Sequence, residues 1–294
     1  MSTPNAADRS QTSGTVLVTG ATGPHGRPVA AALLSAGWPV RALTRDPSSA
    51  RARALADLGA EPVAGDMNDR ESLLRAMHDT AVVYAVTTPF AAGPGDEIRQ
   101  GEALIAAASE VQIPWLMIAL VASADRQTGV PHFDSKATTE RRLRAASVPH
   151  TILAPTYFFE NLGDPAKVAA TGELALALPA ERPLQQIALT DLGALVAAVL
   201  RRRSAFLGER IELAGDRPTP QQMADTLSRA TDRPVRYRQV DIDHVAARSD
   251  DLAAMYRFLA DTGYDVDLHA LHQRVPEVRW TSFADWVRHR TEGG

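Results

Sequence analysis

The stretch Thr15-Val16-Leu17-Val18-Thr19-Gly20-Ala21-Thr22-Gly23-Pro24-His25-Gly26-Arg27-Pro28 decides how this chain is read. Thr15–Thr19 is rich in β-branched residues, and Arg27–Ala36 has helical spacing and stops at Gly37. A strand that passes through a glycine turn into a helix is the opening unit of a dinucleotide-binding fold. Gly20 permits the tight turn, Gly23 lets the backbone approach a pyrophosphate, and Gly26 lets the helix pack closely on the strand. The phosphates would then meet the free N–H groups and the positive end of the dipole at the helix N-terminus. The spacing is G-x-x-G-x-x-G rather than the commoner G-x-G-x-x-G, and without a ligand the same turn is an ordinary βα connection. Pro28 falls in the first helical turn, where a missing N–H costs little.

Downstream, short apolar runs alternate with helical patterns. Strands are expected at Val40–Thr44, Pro62–Gly65, Ala81–Val86, Trp115–Ala122 and Thr151–Ala154. The helices between them are expected at Ala50–Leu58, Asp69–His78, Asp96–Val111 and Phe133–Ala146. Parallel neighbours need such crossovers, so the first half reads as a doubly wound α/β fold with a parallel sheet. The second half is less regular, with helices at Asp191–Arg203 and Pro220–Ala230, a strand at Arg210–Ala214, and helical patterning from His244 to a last helix near Phe283–His289. The expected division is a disordered tail over residues 1–13, a dinucleotide-binding domain over 14–157 and a smaller α+β lobe on the substrate side over 158–294. Segments near 185–215 are expected to return to the sheet.

The strand ends carry the candidate ligands. Thr44-Arg45-Asp46-Pro47-Ser48-Ser49 follows the second strand, where an acid would bind a ribose 2′-hydroxyl. Arg45 offers a planar fork for a 2′-phosphate, with the serines as added donors, which favours NADP(H). Asp46 keeps NAD(H) open. Asp66-Met67 ends the third strand, beside the expected adenine, although Asp66 also suits the start of a turn. Thr87-Thr88-Pro89 ends the fourth strand near the inner ribose and also reads as a turn cluster. His132 and Lys136 are four apart on an expected helix and share a face. Lys136 follows the fifth strand, where this fold places a lysine on the nicotinamide ribose; in the large short-chain dehydrogenase family a tyrosine stands where His132 does. Histidine there remains able to donate a proton or bind the cofactor.

With Val16-Leu17-Val18-Thr19-Gly20-Ala21-Thr22-Gly23, Arg41-Ala42-Leu43-Thr44-Arg45-Asp46-Pro47, Gly65-Asp66, His132-Phe133-Asp134-Ser135-Lys136 with Glu140, and Pro155-Thr156-Tyr157-Phe158-Phe159-Glu160-Asn161, the chain resembles the NmrA-like family of atypical short-chain dehydrogenases/reductases. The likeness covers roughly residues 15 to 288 and thins after Asn161. It implies a Rossmann-type NADP(H) domain with a smaller C-terminal lobe. It implies that Gly20, Ala21, Thr22, Gly23, Pro24 and His25 cradle the pyrophosphate and that Arg45 and its successors hold the 2′-phosphate. It further implies Asp66 and Met67 at the adenine, Thr87 to Pro89 along the nicotinamide side, Lys136 on the ribose, and Tyr157, Phe158, Phe159 and Asn161 over the nicotinamide. Arg99 would face the phosphates. Two departures stand out: Ala154 where the family often has arginine, and Ser123 as the only serine at the end of the fifth strand, where the family usually shows one or two.

Composition narrows the chemistry. The 294 residues include no cysteine, which excludes disulfides, thiolate metal sites and cysteine nucleophiles. A formal charge of −4 argues against a nucleic-acid partner. Met1–Ser13 has no apolar run of the signal-peptide kind, and the apolar runs at Trp115–Ala122 and Leu192–Leu200 fall short of the ~20 residues that span a bilayer. A cytoplasmic protein, monomeric or homodimeric, is expected. Of 31 basic residues only Lys136 and Lys167 are lysine, which singles out Lys136. The family holds reductases and cofactor-binding redox sensors that act through protein partners. An NADPH-dependent reductase of a quinone-like or aromatic acceptor is favoured, with His132 and Lys136 as catalytic candidates; the sensor is the alternative.

Overall fold

The computed structural model describes residues 14–90 and 92–292, so the tail expected at residues 1–13 lies outside the described residues. Strands form at β1 (Thr15–Val18), β2 (Val40–Thr44), β3 (Glu61–Ala64), β4 (Thr80–Val86), β5 (Leu116–Ala119), β6 (His150–Pro155), β7 (Tyr157–Phe158), β8 (Glu173–Leu176), β9 (Gln186–Ile187), β10 (Arg210–Leu213) and β11 (Arg236–Gln239). By contacts the chain divides into two compact units. The first gathers residues up to Val121 with Ser135–Ala154 and Leu192–Ile211; the second gathers Ala122–Asp134, Pro155–Asp191 and Glu212 onward.

The first unit is built on a seven-stranded parallel sheet in the order β10-β6-β5-β4-β1-β2-β3. The order reverses between β1 and β4, and in open sheets of this kind ligands bind beyond the strand ends at such a switch point. β1 has no accessible surface at Val16, Leu17 and Val18, as a strand covered on both faces requires. Leu17, Leu43, Leu73, Met77, Val83, Leu104, Leu116 and Ile152 join one apolar cluster. Each such side chain contributes about 1.5–3 kcal/mol on burial. Helices begin where the sequence supplies caps: the Ser49 hydroxyl accepts from the Ala52 N–H, and the Asp69 carboxylate from the Glu71 N–H. The fifth strand is shorter than expected. As a strand it runs over Leu116–Ala119, and the apolar run continues buried to Ala122, with the Leu120 and Ala122 N–H groups donating to the Leu153 and Pro155 carbonyls, before the chain turns at Ser123 with φ of 61°.

The second unit carries two small pairings, β8 with β11 and β7 with β9. Its core collects Phe159, Leu174, Leu176, Met223, Leu227, Phe283 and Trp286. Helix Pro220–Thr231 opens with a capping box between Thr219 and Gln222. Among the described residues no helix is long and apolar enough to cross a membrane. Nor do any three His, Asp or Glu gather there to hold a metal ion.

Candidate functional site

On the first unit the glycine turn leaves β1 and enters helix Gly26–Ser35. Gly20 is left-handed at φ 61°, and a Cβ there would lie 2.9 Å from Val86 Cγ1. A Cβ on Gly26 would stand 2.4 Å from the Gly20 carbonyl oxygen and 2.8 Å from that of Thr19, so only glycine lets the helix start this close to the strand. On Gly23 it would lie 3.2 Å from the Gly20 oxygen. The turn is closed by the Gly23 N–H donating to the Gly20 carbonyl at 2.9 Å. His25 occupies the N-cap position without capping the helix through its side chain. Ala21 is buried, Thr22 half-buried and Pro24 exposed. A bare-backbone cradle at a helix start with no acid in its first turn fits a dinucleotide pyrophosphate.

His25 Nε2 lies 2.8 Å from Tyr84 Oη. Burial, reinforced by the positive charge of Lys136, holds the imidazole down to about 3, so it is neutral at pH 7. Burial also pushes the Tyr84 phenol far up. Thr19 Oγ1 accepts from the Val86 N–H at 2.9 Å and ties the ends of β1 and β4 together.

At the end of β2 Thr44 is buried and its Oγ1 accepts from the Asp46 N–H at 3.3 Å. Arg45 is exposed and has no ion-pair partner among the described residues. Asp46 is committed elsewhere: its Oδ1 accepts from the Ser48 N–H at 2.9 Å and the Ser48 hydroxyl at 2.6 Å, which hold the carboxyl below its usual range. The Asp46 alternative for a ribose hydroxyl thus meets a carboxylate already in its own turn. The serines differ from expectation as added donors, because Ser48 binds Asp46 and Ser49 caps the next helix. Asp66 Oδ1 accepts from the Asn68 N–H at 2.8 Å, so it does open a turn, while Met67 is half-buried against the apolar cluster. Arg99 pairs with Asp96 at 2.7 Å.

The centre of this unit holds a residue the sequence reading did not single out. Glu97 has no accessible surface. Its Oε1 accepts from Thr87 Oγ1 at 2.9 Å and pairs with Lys136 Nζ, and its Oε2 accepts from Ser135 Oγ at 2.5 Å. Lys136, itself 9% exposed, also reaches the Thr87 carbonyl at 3.5 Å. The two helices can approach because Gly101, one turn after Glu97, has no Cβ; one there would fall 2.6 Å from Oγ1 of Thr139, one turn after Ser135. The available signal was the lone lysine: a buried ammonium requires a carboxylate, and the first turn of helix Pro94–Glu110 supplies one. Thr88 is exposed, its N–H donating to Gln100 Oε1 at 3.3 Å, and Pro89 is buried.

On the second unit His132 is 6% exposed. Its Nδ1 lies 2.7 Å from Asp251 Oδ1, which also accepts the His132 backbone N–H at 3.0 Å. His132 and Lys136 thus share a helix but take different carboxylates. Tyr157 is nearly buried, with its hydroxyl 3.4 Å from that of Tyr256 and its acidity lowered by burial. Phe158 is half-buried and Asn161 exposed. Phe159 differs from its expected place over a nicotinamide: it has no accessible surface and packs against Phe283 and Trp286, so its ring has no face left for a ligand. Ser123 is fully buried, its N–H donating to Glu212 Oε1 at 2.8 Å and its hydroxyl unpartnered among the described residues.

The sequence profile of the NmrA-like family matches residues 12–287. A curated relative from Streptomyces griseus subsp. griseus, a (4-alkanoyl-5-oxo-2,5-dihydrofuran-3-yl)methyl phosphate reductase, is 31% identical over 235 residues, 80% of this chain and 79% of that one. The NADPH-dependent quinone oxidoreductase QOR2 of Escherichia coli, solved with NADPH, superposes with a TM-score of 0.79 at 24% identity, covering 93% of this chain and 99% of its own. NmrA, a negative transcriptional regulator solved with NADP, gives 0.78 at 18% identity, covering 94% and 95%. Both structures share the fold.

Proposed function

The chain belongs to the NmrA-like family, and from that premise we propose that it is an NADPH-dependent reductase of a small quinone-like or aromatic acceptor. One observation carries the reading: the single lysine of the first unit is buried at the strand ends and pinned by Glu97, Ser135 and Thr87 around it. Such a cluster holds an ammonium in one position at the end of β4, which suits it to a ribose hydroxyl in this reading. When bound, NADPH supplies a hydride to the acceptor. In this reading the backbone of Gly20, Ala21, Thr22, Gly23, Pro24, His25 and Gly26 holds the pyrophosphate. Arg45 beside Thr44 holds the 2′-phosphate, and Asp66 with Met67 borders the adenine. Lys136, with Thr87, Thr88 and Pro89, holds the nicotinamide ribose, while Tyr157, Phe158 and Asn161 close over the ring. His132 delivers the proton. NADP(H) is preferred over NAD(H) because Arg45 has no ion-pair partner among the described residues, while Asp46 is held by Ser48.

Purified protein should consume NADPH with at least one member of a quinone panel. Arg45→Ala should weaken NADPH binding by about 1–3 kcal/mol, the scale of a lost charge-assisted contact, and leave NADH binding nearly unchanged. Equal losses would sink the 2′-phosphate role. A second reading, a redox sensor acting through a protein partner, is favoured by histidine standing at 132 where the proton-donating tyrosine would be. Tight NADPH binding with no turnover on the panel would leave that reading.

A further inference from the structure

We propose that Asp251 is a positioning residue that fixes the tautomer and charge of His132, so that the transferable proton is carried at His132 Nε2. The assignment rests on the reductase reading, and it starts from how two segments of the second unit meet. Helix Asp250–Asp261 begins at Ser249, whose hydroxyl accepts from the Leu252 N–H. Asp251 and Phe258 are seven residues apart on it and so lie on one face. That face meets two consecutive residues. Asp251 takes His132, and Phe258 packs edge-on to Phe133 with ring centroids 5.7 Å apart. Phe133 in turn stands edge-on to the His132 ring at 4.8 Å and stacks with Tyr264 at 6.2 Å. The imidazole is held by a carboxylate on one edge and an aromatic ring beside it.

Asp251 Oδ1 accepts both the His132 N–H at 3.0 Å and the ring Nδ1 at 2.7 Å. A carboxylate accepts only, so the Nδ1 proton is fixed and the second proton of the imidazolium resides on Nε2. The Asp251 carboxylate sets an opposite charge 2.7 Å from Nδ1. In the reaction, Nε2–H breaks as the acceptor oxygen gains the proton. NADPH, when bound, would supply the hydride that reduces the acceptor and would be oxidised in turn, and a proton from solvent would return to Nε2. Of the other charged groups, Asp250 precedes Asp251 on the facing helix, while Asp134 and Lys136 lie on the helix of His132. Lys136 has its charge met by Glu97. Tyr264, packed on Phe133, has its phenol pushed up by burial and by Glu212. Asp251 contacts the ring at Nδ1.

Asparagine at 251 separates charge from structure, because its amide oxygen accepts the same two bonds. The test uses full-length protein, cofactor-free, with nitrogen-15 NMR of the His132 ring assigned by its loss in His132→Gln. The expected result is an Nδ1 that stays protonated in the wild type, so that the exchangeable second proton is carried on Nε2, with that preference lost in Asp251→Ala. With NADPH and a quinone, Asp251→Asn should move the limb of the kcat profile that reports the acid to lower pH. It should also cut kcat by at least about tenfold, part of the 10²–10⁴ that a positioned proton donor contributes. KM for NADPH should hold. A wild-type ring protonated at Nε2 alone, an Asp251→Ala ring like the wild type, or an Asp251→Asn profile that superposes on the wild type overturns the proposal. If the wild type reduces no quinone, the reductase reading fails, and the tautomer measurement alone decides the Asp251 assignment.

Discussion

Breaking the Glu97–Lys136 pair from either side should cost far more than removing it whole. Glu97 has no accessible surface and Lys136 retains 9%, so neither charge is shared with solvent. In Glu97→Leu the ammonium stays buried without a counter-charge, and the Thr87 and Ser135 hydroxyls lose their acceptor. In Lys136→Met the carboxylate is left with two hydroxyl donors and no cation. Each single change should cost about 3–5 kcal/mol, the range for a buried pair opened from one side. That is a large part of the about 5–15 kcal/mol that holds a native chain. The double variant buries no charge and should lose less than either single one, so the two losses fall short of adding by about 3 kcal/mol or more. Urea denaturation of the four proteins at pH 7 measures this coupling. Hydrogen exchange of the β4 and β6 amides, which flank the pair in sequence, assigns the loss to the first unit. Losses that add to within about 0.5 kcal/mol would refute the reasoning, because independent sites add to that tolerance.

Further outcomes follow from the glycine turn. Gly26→Ala should lower the thermal midpoint, at a cost of about 1–3 kcal/mol for overpacking against backbone that cannot yield; an unchanged midpoint would show that helix and strand are not held so close. Gly23→Ala meets a single carbonyl at 3.2 Å, so it should fold normally and lose NADPH affinity, as calorimetry would read. His25 gives a pH dependence. Its value falls from 6.5 to about 3 on folding, so the unfolded chain takes up the proton first. Stability from this group is complete above pH 6.5 and is lost toward pH 3, by up to about 1.4 kcal/mol per pH unit. His25→Asn should flatten that interval, and profiles that stay parallel would exclude the buried neutral imidazole.

Much of the first unit was legible because its signals are local. Most of its first six strands are short apolar runs, and the glycines at 20, 37 and 59 that end elements take positive φ. Local pattern also carried Arg45 and Lys136 to strand ends. What was not legible depends on partners distant in sequence. Glu97 reads as an ordinary acid in a first helical turn until Gly101 and Thr139 bring the two helices together. Asp251 lies 119 residues from His132. Phe159 looked like part of a ring-binding run because aromatic spacing does not say which face the core will take. The pairing of β8 with β11 joins Glu173–Leu176 to Arg236–Gln239, a half-polar strand no apolar run announces.

The place of β10 in the sheet bears on how the chain is made. β6 pairs on one side with β5 and on the other only with β10, which begins at Arg210. On the ribosome, six strands emerge and dock while the outer edge of β6 remains open through the synthesis of every residue between Pro155 and Arg210. A buried-type strand with an unpaired edge is a template for another chain. The nascent protein is therefore most exposed to aggregation and to chaperone capture during that interval, and a chain stopped short of Leu213 would carry the same open edge permanently.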